Sequence, residues 1–281
     1  MKVLVTGADG LLGRTLMRRL ADREPVGVSI GDADIASPQE TRALLTNYRP
    51  DAVIHCAAMT AVDDCESRAD DAYRVNALGS ANVADACRSM GARLIAVSTD
   101  YVFSGGLDRP YHEFDATGPR TVYGASKLAG EVAIRRHCPG HLIVRTSWLY
   151  GPGGPSFLHT MLRLGRQGRE PLKVVEDQVG NPTSTLAVAD HLAMLLETPA
   201  VGTMHLSCEG ETSWRGFAEA IFDVAGLSRP IVGCTTAEFP RPAPRPSNSR
   251  LEKRTLRLLG LPPMPTWRET LETFLREYPD G

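Results

Sequence analysis

Thr6-Gly7-Ala8-Asp9-Gly10-Leu11-Leu12-Gly13 follows directly on a short apolar run, Lys2 to Thr6 (KVLVT), and opens a stretch with helical periodicity. The glycine spacing is G-x-x-G-x-x-G. Glycines of this kind allow a tight turn and let the backbone approach a phosphate closely, while the amino terminus of the following helix faces the negative charge. In isolation such a triplet is compatible with an ordinary strand-to-helix turn. Starting at residue 7, straight after a strand that begins at residue 2, it reads as the pyrophosphate-binding turn of a dinucleotide fold.

Outward from that turn, β-type runs alternate with helical ones. Ala52 to His55 (AVIH), Arg93 to Ser98 (RLIAVS) and Leu142 to Arg145 (LIVR) are dense in Val, Ile and Leu, as parallel strands covered on both faces must be, and Val26 to Ile30 is a weaker second strand. Helical patterns fill 11–22, 38–48, 67–89 and 121–136. The alternation predicts an α/β protein with a Rossmann-type doubly wound parallel sheet. After Tyr150, Gly151-Pro152-Gly153-Gly154-Pro155 interrupts the chain, and a proline-rich loop (FPRPAPRP) follows at 239–246. We therefore expect an NAD(P)-binding domain over 1–150 and a smaller C-terminal domain over 151–281 that binds substrate as a lid. A segment near 184–208, with the run Gly202 to Ser207, is expected to return to the main sheet.

Composition narrows the class. With 31 basic and 33 acidic residues the net charge is −2, which calls for no nucleic acid or membrane partner. No apolar run approaches a membrane span, and the chain starts on a strand without a signal-peptide pattern, so a cytoplasmic protein is expected. The six cysteines are scattered without a C-x-x-C pair and read as reduced thiols.

Tyr123 and Lys127 lie four apart in a helical stretch and so project from one face. A phenol is a poor acid at neutral pH, but a neighbouring ammonium favours its ionised form, and the expectation is a lowered tyrosine pKa. The run Ser98-Thr99-Asp100-Tyr101 ends the fourth strand just upstream. The end of the second strand should read the adenosine ribose: an acid there favours NAD, and its absence admits NADP. Ser29 and Ile30 occupy that place, with Asp32 and Asp34 a little further on. Ser29 and the nearby Arg14 tilt the expectation toward NADPH, with NADH still open.

Taken together, the glycine turn, Asn76, Thr99, Tyr123 and Lys127 resemble the extended short-chain dehydrogenase/reductase family. Finer motifs narrow the resemblance. Ser98 to Gly105 (STDYVFSG), Tyr123 to Glu131 (YGASKLAGE), Arg145 to Gly151 (RTSWLYG), Asp177 to Thr183 (DQVGNPT) and Arg245 to Ser249 (RPSNS) are similar to the dTDP-4-dehydrorhamnose reductase family, in that family's order. The resemblance implies reduction of the C4 ketone of a dTDP-4-keto-6-deoxyhexose, with NADPH as cofactor. Tyr123 would be the acid, Thr99 would hold the carbonyl oxygen, and Lys127 would grip the nicotinamide ribose. The cofactor would lie along Gly7, Asp9, Gly10, Leu11, Leu12 and Gly13, then Ser29, Asp34 and Ile35, then Cys56, Ala57 and Ala58. Asn76 would support the lysine unless it is a helix-surface amide.

For the substrate, the resemblance implies Thr60, Val62, Thr99, Asp100 and Tyr101 near the sugar, Trp148 and Asn181 as further contacts, and Arg245 for the diphosphate. A core tryptophan and a solvated arginine are the alternatives. The chain also departs from the family. His55 to Asp63 (HCAAMTAVD) stands where Asn-Ala-Ala-Ala-Tyr-Thr-Ala-Val-Asp is common, so Met59 replaces an aromatic residue and leaves the usual substrate in question. His55 is expected to be packed and hydrogen-bonded. Thr15 stands where some relatives carry a glutamate that helps bind metal at a dimer contact, so no metal is expected and a homodimer stays open. Four alternatives stand beside the rhamnose reductase, among them an epimerase, a class that shares the tyrosine and lysine but not the later motifs. A sibling ketoreductase of an antibiotic-sugar pathway is the nearest. Tyr101 stands where dehydratases carry glutamate. A non-catalytic regulatory subunit, resembling that of methionine adenosyltransferase, would need none of the catalytic groups.

Overall fold

The computed structural model describes residues 1–168 and 170–280. Its centre is a six-stranded, all-parallel sheet made of β1 (Val3–Thr6), β2 (Val26–Val28), β3 (Ala52–His55), β4 (Arg93–Thr99), β5 (His141–Thr146) and β6 (Gly202–His205), in the order β6-β5-β4-β3-β1-β2. The chain order reverses at β1, which has β2 on one side and β3 on the other. A crevice therefore opens at the carboxyl ends of β1 and β3, where Thr6 and His55 are register partners.

Side chains alternate across the sheet as the strand period requires. Val3 and Val5 face the layer of α1 (Leu11–Arg19), and Leu4 faces the opposite layer with α2 (Pro38–Tyr48) and α3 (Ser80–Met90). The long α4 (Val122–His137) joins α3 on that second face, and α5 (Thr185–Leu195) packs beside α1 on the first. Both α5 and β6 thus belong to the layers of the main sheet. A separate apolar cluster contains Tyr150, from the short strand Leu149–Tyr150, and Leu158, Phe217, Phe222 and Phe274, from helices Phe157–Arg166, Trp214–Val224 and Trp267–Glu277. Among the described residues no helix is long and apolar enough to cross a membrane.

One expected element is broken. In place of a single helix over 67–89 there are Val62–Ser67, Ala69–Tyr73, a π-helical turn Arg74–Gly79, and α3. The wider π turn re-aims Asn76 into the protein, where it is fully buried, and seats Gly79 against the Ile35 side chain. Uniform helical periodicity does not encode that rotation.

Candidate active site

The glycine turn is dictated by contact. Gly7 has φ +67°, and a Cβ there would stand 2.7 Å from the backbone nitrogen of Ala57, so the residues leaving β3 lie directly against the turn. At Gly13 a Cβ would come within 2.1 Å of the Gly7 carbonyl oxygen. The turn is closed by Gly10 N–H donating to that same carbonyl at 3.0 Å. Gly10 caps α1 without a side-chain hydrogen bond, which leaves first-turn N–H groups available to an anion. Leu12 is core, whereas Asp9 is exposed and offers its carbonyl to Arg14 Nε at 2.7 Å.

Arg14 does not serve the ribose end. Its Nη1 donates to the Gly153 carbonyl at 2.8 Å, so the guanidinium fastens the turn to the 151–155 loop. At the ribose end, Ser29 N–H and Oγ both donate to Asp32 Oδ2, at 2.7 and 3.0 Å. Asp34 pairs with Arg74 at 2.7 Å, and Arg74 balances the carboxylate's charge. The Ile35 side chain is core and its carbonyl is taken by Thr41 Oγ1 and Asn82 Nδ2, so what Ile35 offers a cofactor is its backbone N–H. Cys56, Ala57 and Ala58 are half-buried and follow β3 past Gly7.

Tyr123 and Lys127 sit on the inner face of α4, which Thr121 caps by accepting from Gly124 N–H at 3.0 Å. Both are under 10 % exposed. Lys127 Nζ donates to the Val97 carbonyl at 2.8 Å, and the Tyr123 phenol faces the Thr99 side chain. Thr99 Oγ1 in turn donates to Asp100 Oδ1 at 3.0 Å and accepts from Tyr101 N–H at 3.2 Å. The Tyr101 ring meets that of Tyr123 edge-on, centroids 5.5 Å apart.

The electrostatics revise one expectation. Burial pushes the Tyr123 phenol well above its ordinary value; the Thr99 side chain opposes that rise and Asp100 adds to it. The Lys127 ammonium, held at the Val97 carbonyl, is not among the groups that shift the phenol, so desolvation of the phenolate decides the direction. Burial also carries Lys127 down to about 8, against the pull of Glu131 and Cys56, so its ammonium is still mostly charged at pH 7. Burial raises Asp100 to about 6 despite hydrogen bonds from Ser249 and Thr99. His55 falls to about 3 through burial and then Lys127; it is a neutral, packed ring between Thr6 Oγ1 at 2.7 Å and Ser80 Oγ at 3.1 Å.

Asn76 is neither a surface amide nor a direct ligand of the lysine. Its Oδ1 accepts from Met59 N–H at 2.8 Å, and its Nδ2 donates to the Met59 carbonyl at 3.1 Å and to Ser126 Oγ at 2.9 Å. It clamps the backbone at Met59 against α4, and Met59, Val62 and Tyr101 then pack around Tyr123. Thr60 is exposed beside them. Thr15 is buried and shares a hydrogen bond with Thr185 Oγ1 at 2.9 Å.

Arg245 is brought to this region by an ion pair with Asp63 at 2.9 Å. It lines a cavity of about 220 Å³ together with Tyr101, Arg120, Thr121, Asp177 and Thr236. Trp148 lies outside that lining, with φ +48° and its indole stacked on Trp214 at 3.5 Å. Asn181 is a correction. Its Nδ2 donates to the Gly210 carbonyl at 2.5 Å and its Oδ1 accepts from Leu251 N–H at 2.7 Å, so the buried amide is consumed in joining two backbone segments. The sequence assigns no role to Asp63, Arg120 or Glu131, although Asp63 and Glu131 close two of the motifs quoted above. Asp63 and Arg245 are 182 residues apart, and no local pattern links them.

The RmlD substrate binding domain family profile matches residues 1–279. The chain is 43% identical over 278 residues to the dTDP-4-dehydrorhamnose reductase of Streptomyces griseus, covering 95% of this chain and 91% of that protein. It is 41% identical over 278 residues to the spore coat polysaccharide biosynthesis protein SpsK of Bacillus subtilis, covering 98% and 97%. Among solved structures, the Bacillus anthracis dTDP-4-dehydrorhamnose reductase in complex with NADP superposes with TM-score 0.96 at 40% identity, covering 99% of this chain and 100% of that one. The Clostridium acetobutylicum reductase gives TM-score 0.95 at 41% identity, covering 99% of each. Fold, motif order and full-length similarity agree: the chain belongs to the dTDP-4-dehydrorhamnose reductase family.

Proposed function

We propose that the protein is an NADPH-dependent reductase of the C4 ketone of a dTDP-4-keto-6-deoxy sugar, with dTDP-4-dehydrorhamnose as substrate and dTDP-L-rhamnose as product, working in the cytoplasm. The observation that carries the reading is the buried Tyr123 phenol facing Thr99, with Lys127 one turn further along α4 and its Nζ held at the Val97 carbonyl at 2.8 Å. The cradle formed by Gly7 and Gly13, which any side chain would fill, fits a dinucleotide pyrophosphate. When bound, the nicotinamide cofactor supplies the hydride. We assign residues 1–150, with 184–208, to holding it, and most of 151–281 to covering the sugar nucleotide.

Tyr123 retains its proton until the carbonyl oxygen gains negative charge, because burial makes its phenolate costly. It then gives that proton to the alkoxide, and the Lys127 ammonium stabilises the phenolate left behind. Thr99 orients the phenol and, on turning its one proton away from Asp100 Oδ1, donates to the carbonyl oxygen. Arg245, preset by Asp63, offers a planar fork to the diphosphate.

The test is oxidation of NADPH by dTDP-4-dehydrorhamnose, with Tyr123→Phe as the control. That variant keeps the ring and loses the donor, so turnover should fall by roughly two to four orders of magnitude while NADPH binding is retained. Unchanged turnover would remove Tyr123 from its role. Tight NADPH binding with no turnover of any 4-keto sugar would favour the regulatory-subunit reading. A second reading, a sibling 4-ketoreductase, is favoured by Met59 in the cluster around Tyr123. A relative at 39% identity is named a probable dTDP-4,6-dihydroxy-2-methyloxan-3-one 4-ketoreductase from Streptomyces antibioticus. Product configuration at C4 separates the two.

A further inference from the structure

Glu131 lies one turn beyond Lys127 on α4, is 2 % exposed, and has no part in the chemistry above. Four donors converge on it. Oε1 accepts from Ser98 Oγ at 2.6 Å and Arg145 Nε at 2.8 Å, and Oε2 accepts from Arg145 Nη2 at 2.7 Å and Arg135 Nη2 at 2.8 Å. A plain core ion pair would need Arg145 alone. Ser98 is the informative donor, because it stands between Val97, whose carbonyl holds Lys127, and Thr99, whose side chain faces Tyr123. Ser98 and Arg145 are also register partners on β4 and β5, so the carboxylate binds both strands at one rung.

We propose that Glu131 is a positioning residue of the site: by gripping Ser98 and Arg145 it sets α4 against β4 in the register that brings Lys127 to the Val97 carbonyl and Tyr123 to Thr99. The inference rests on the reading of Tyr123 and Lys127 as the reductase pair. Tyr123, Lys127 and Glu131 are successive four-residue steps along one helix face, so a bolt at the third fixes the other two. Its charge has a second effect. The groups facing Lys127 are Glu131 on its own helix and His55 and Cys56 at the end of β3. His55 is neutral, and burial pushes the Cys56 thiol up to about 12. Glu131 stays ionised: burial raises its pKa, but Arg145, Ser98 and Arg135 together bring it below the ordinary value. It is the anion that offsets the cost of burying the ammonium.

The experiment uses the full-length protein with ¹³C-labelled lysine. Titration of the Lys127 Cε resonance without cofactor should give an inflection near 8, and Glu131→Gln should lower it by about one pH unit or more. With an inflection at about 7, the charged fraction at pH 8 drops from about one half to about one tenth. The wild-type to variant ratio of kcat for the 4-keto sugar should then widen about fivefold between pH 6 and pH 8. Ser98→Ala keeps the charge and loosens the bolt; its inflection should stay near that of wild type while kcat falls about tenfold at every pH. An unmoved Lys127 inflection in Glu131→Gln, with an equal loss of kcat at all pH values, reduces Glu131 to a core ion pair and overturns the proposal. Wild-type kcat in Ser98→Ala overturns it as well, and that variant decides the matter if Glu131→Gln does not fold. A shifted inflection in a protein that turns over no 4-keto sugar would defeat the reductase reading and leave the positioning intact.

Discussion

Replacing Lys127 by Met should make the protein, measured without added cofactor, more stable while abolishing turnover. The lysine is buried, and its fall from 10.5 to about 8 means that the fold penalises the charged form. By linkage that is on the order of 3 kcal/mol at pH values where both folded and unfolded chains carry the charge. Methionine is a linear side chain of similar length and escapes the penalty, but it leaves the Val97 carbonyl without its donor, a loss of about 1–2 kcal/mol. The expected net gain at pH 7.5 is about 2 kcal/mol. The sign of the pH dependence follows from the direction of the shift. Between about 8 and 10.5 the unfolded chain binds the proton more readily than the folded one, so wild-type stability gains across that window. The advantage of Lys127→Met should therefore shrink with rising pH and vanish near pH 10. Urea unfolding of both proteins at pH 7.5 and pH 10 isolates the lysine, because the other titrating groups are common to both. A variant that is less stable at pH 7.5, by an amount that does not change at pH 10, would refute the reasoning.

Gly13→Ala would drive a Cβ to within 2.1 Å of the Gly7 carbonyl oxygen, so NADPH affinity, read by fluorescence titration, should fall more than about tenfold; wild-type affinity would mean the turn is not the cofactor cradle. His55 and His205 both fall to about 3 through burial, so stability should drop as pH falls from about 6.5 toward 3, by up to about 2.7 kcal/mol per pH unit for the pair. Denaturation at pH 7, 6 and 5 of the His55→Gln/His205→Gln protein should show a flatter dependence; an unchanged slope would place the acid sensitivity elsewhere. Asn181→Ala should cost roughly 2–4 kcal/mol because the Gly210 carbonyl and Leu251 N–H lose their partner in the interior. A variant with normal stability and a raised KM would instead return Asn181 to the substrate.

What was legible in the sequence was what short-range chemistry decides. The glycine turn could be read because Gly7 must adopt positive φ and Gly13 must admit a neighbouring carbonyl. Tyr123 and Lys127 could be paired because four residues is one helical turn, and the strands because burial on both faces demands apolar runs. Features set by packing at a distance were not accessible in that way. The direction of the Tyr123 shift depends on how completely Met59, Val62 and Tyr101 enclose it. Arg14 reads as a phosphate ligand by its position in the first turn of α1, yet it reaches Gly153, on a loop 139 residues away. Asn181 sits in a recognisable motif, but its role as a cross-link depends on where Gly210 and Leu251 lie. The π turn at Arg74–Gly79 is a half-step in helix phase that makes Asn76 a clamp on Met59.

The placement of β6 has a consequence for how the protein is made. Its partner β5 ends at Thr146 and β6 begins at Gly202, so β5 emerges from the ribosome as an open edge with an unpaired row of amides and carbonyls. At 5–20 residues per second, roughly 3–11 s of synthesis separate the two strands. During that interval a completed β1-to-β5 sheet, buried on both faces once folded, has a long apolar strand available to other nascent chains. Crowded polysomes would be the setting in which this protein is most exposed to misassembly, and its yield on expression should be sensitive to translation speed through residues 147–205.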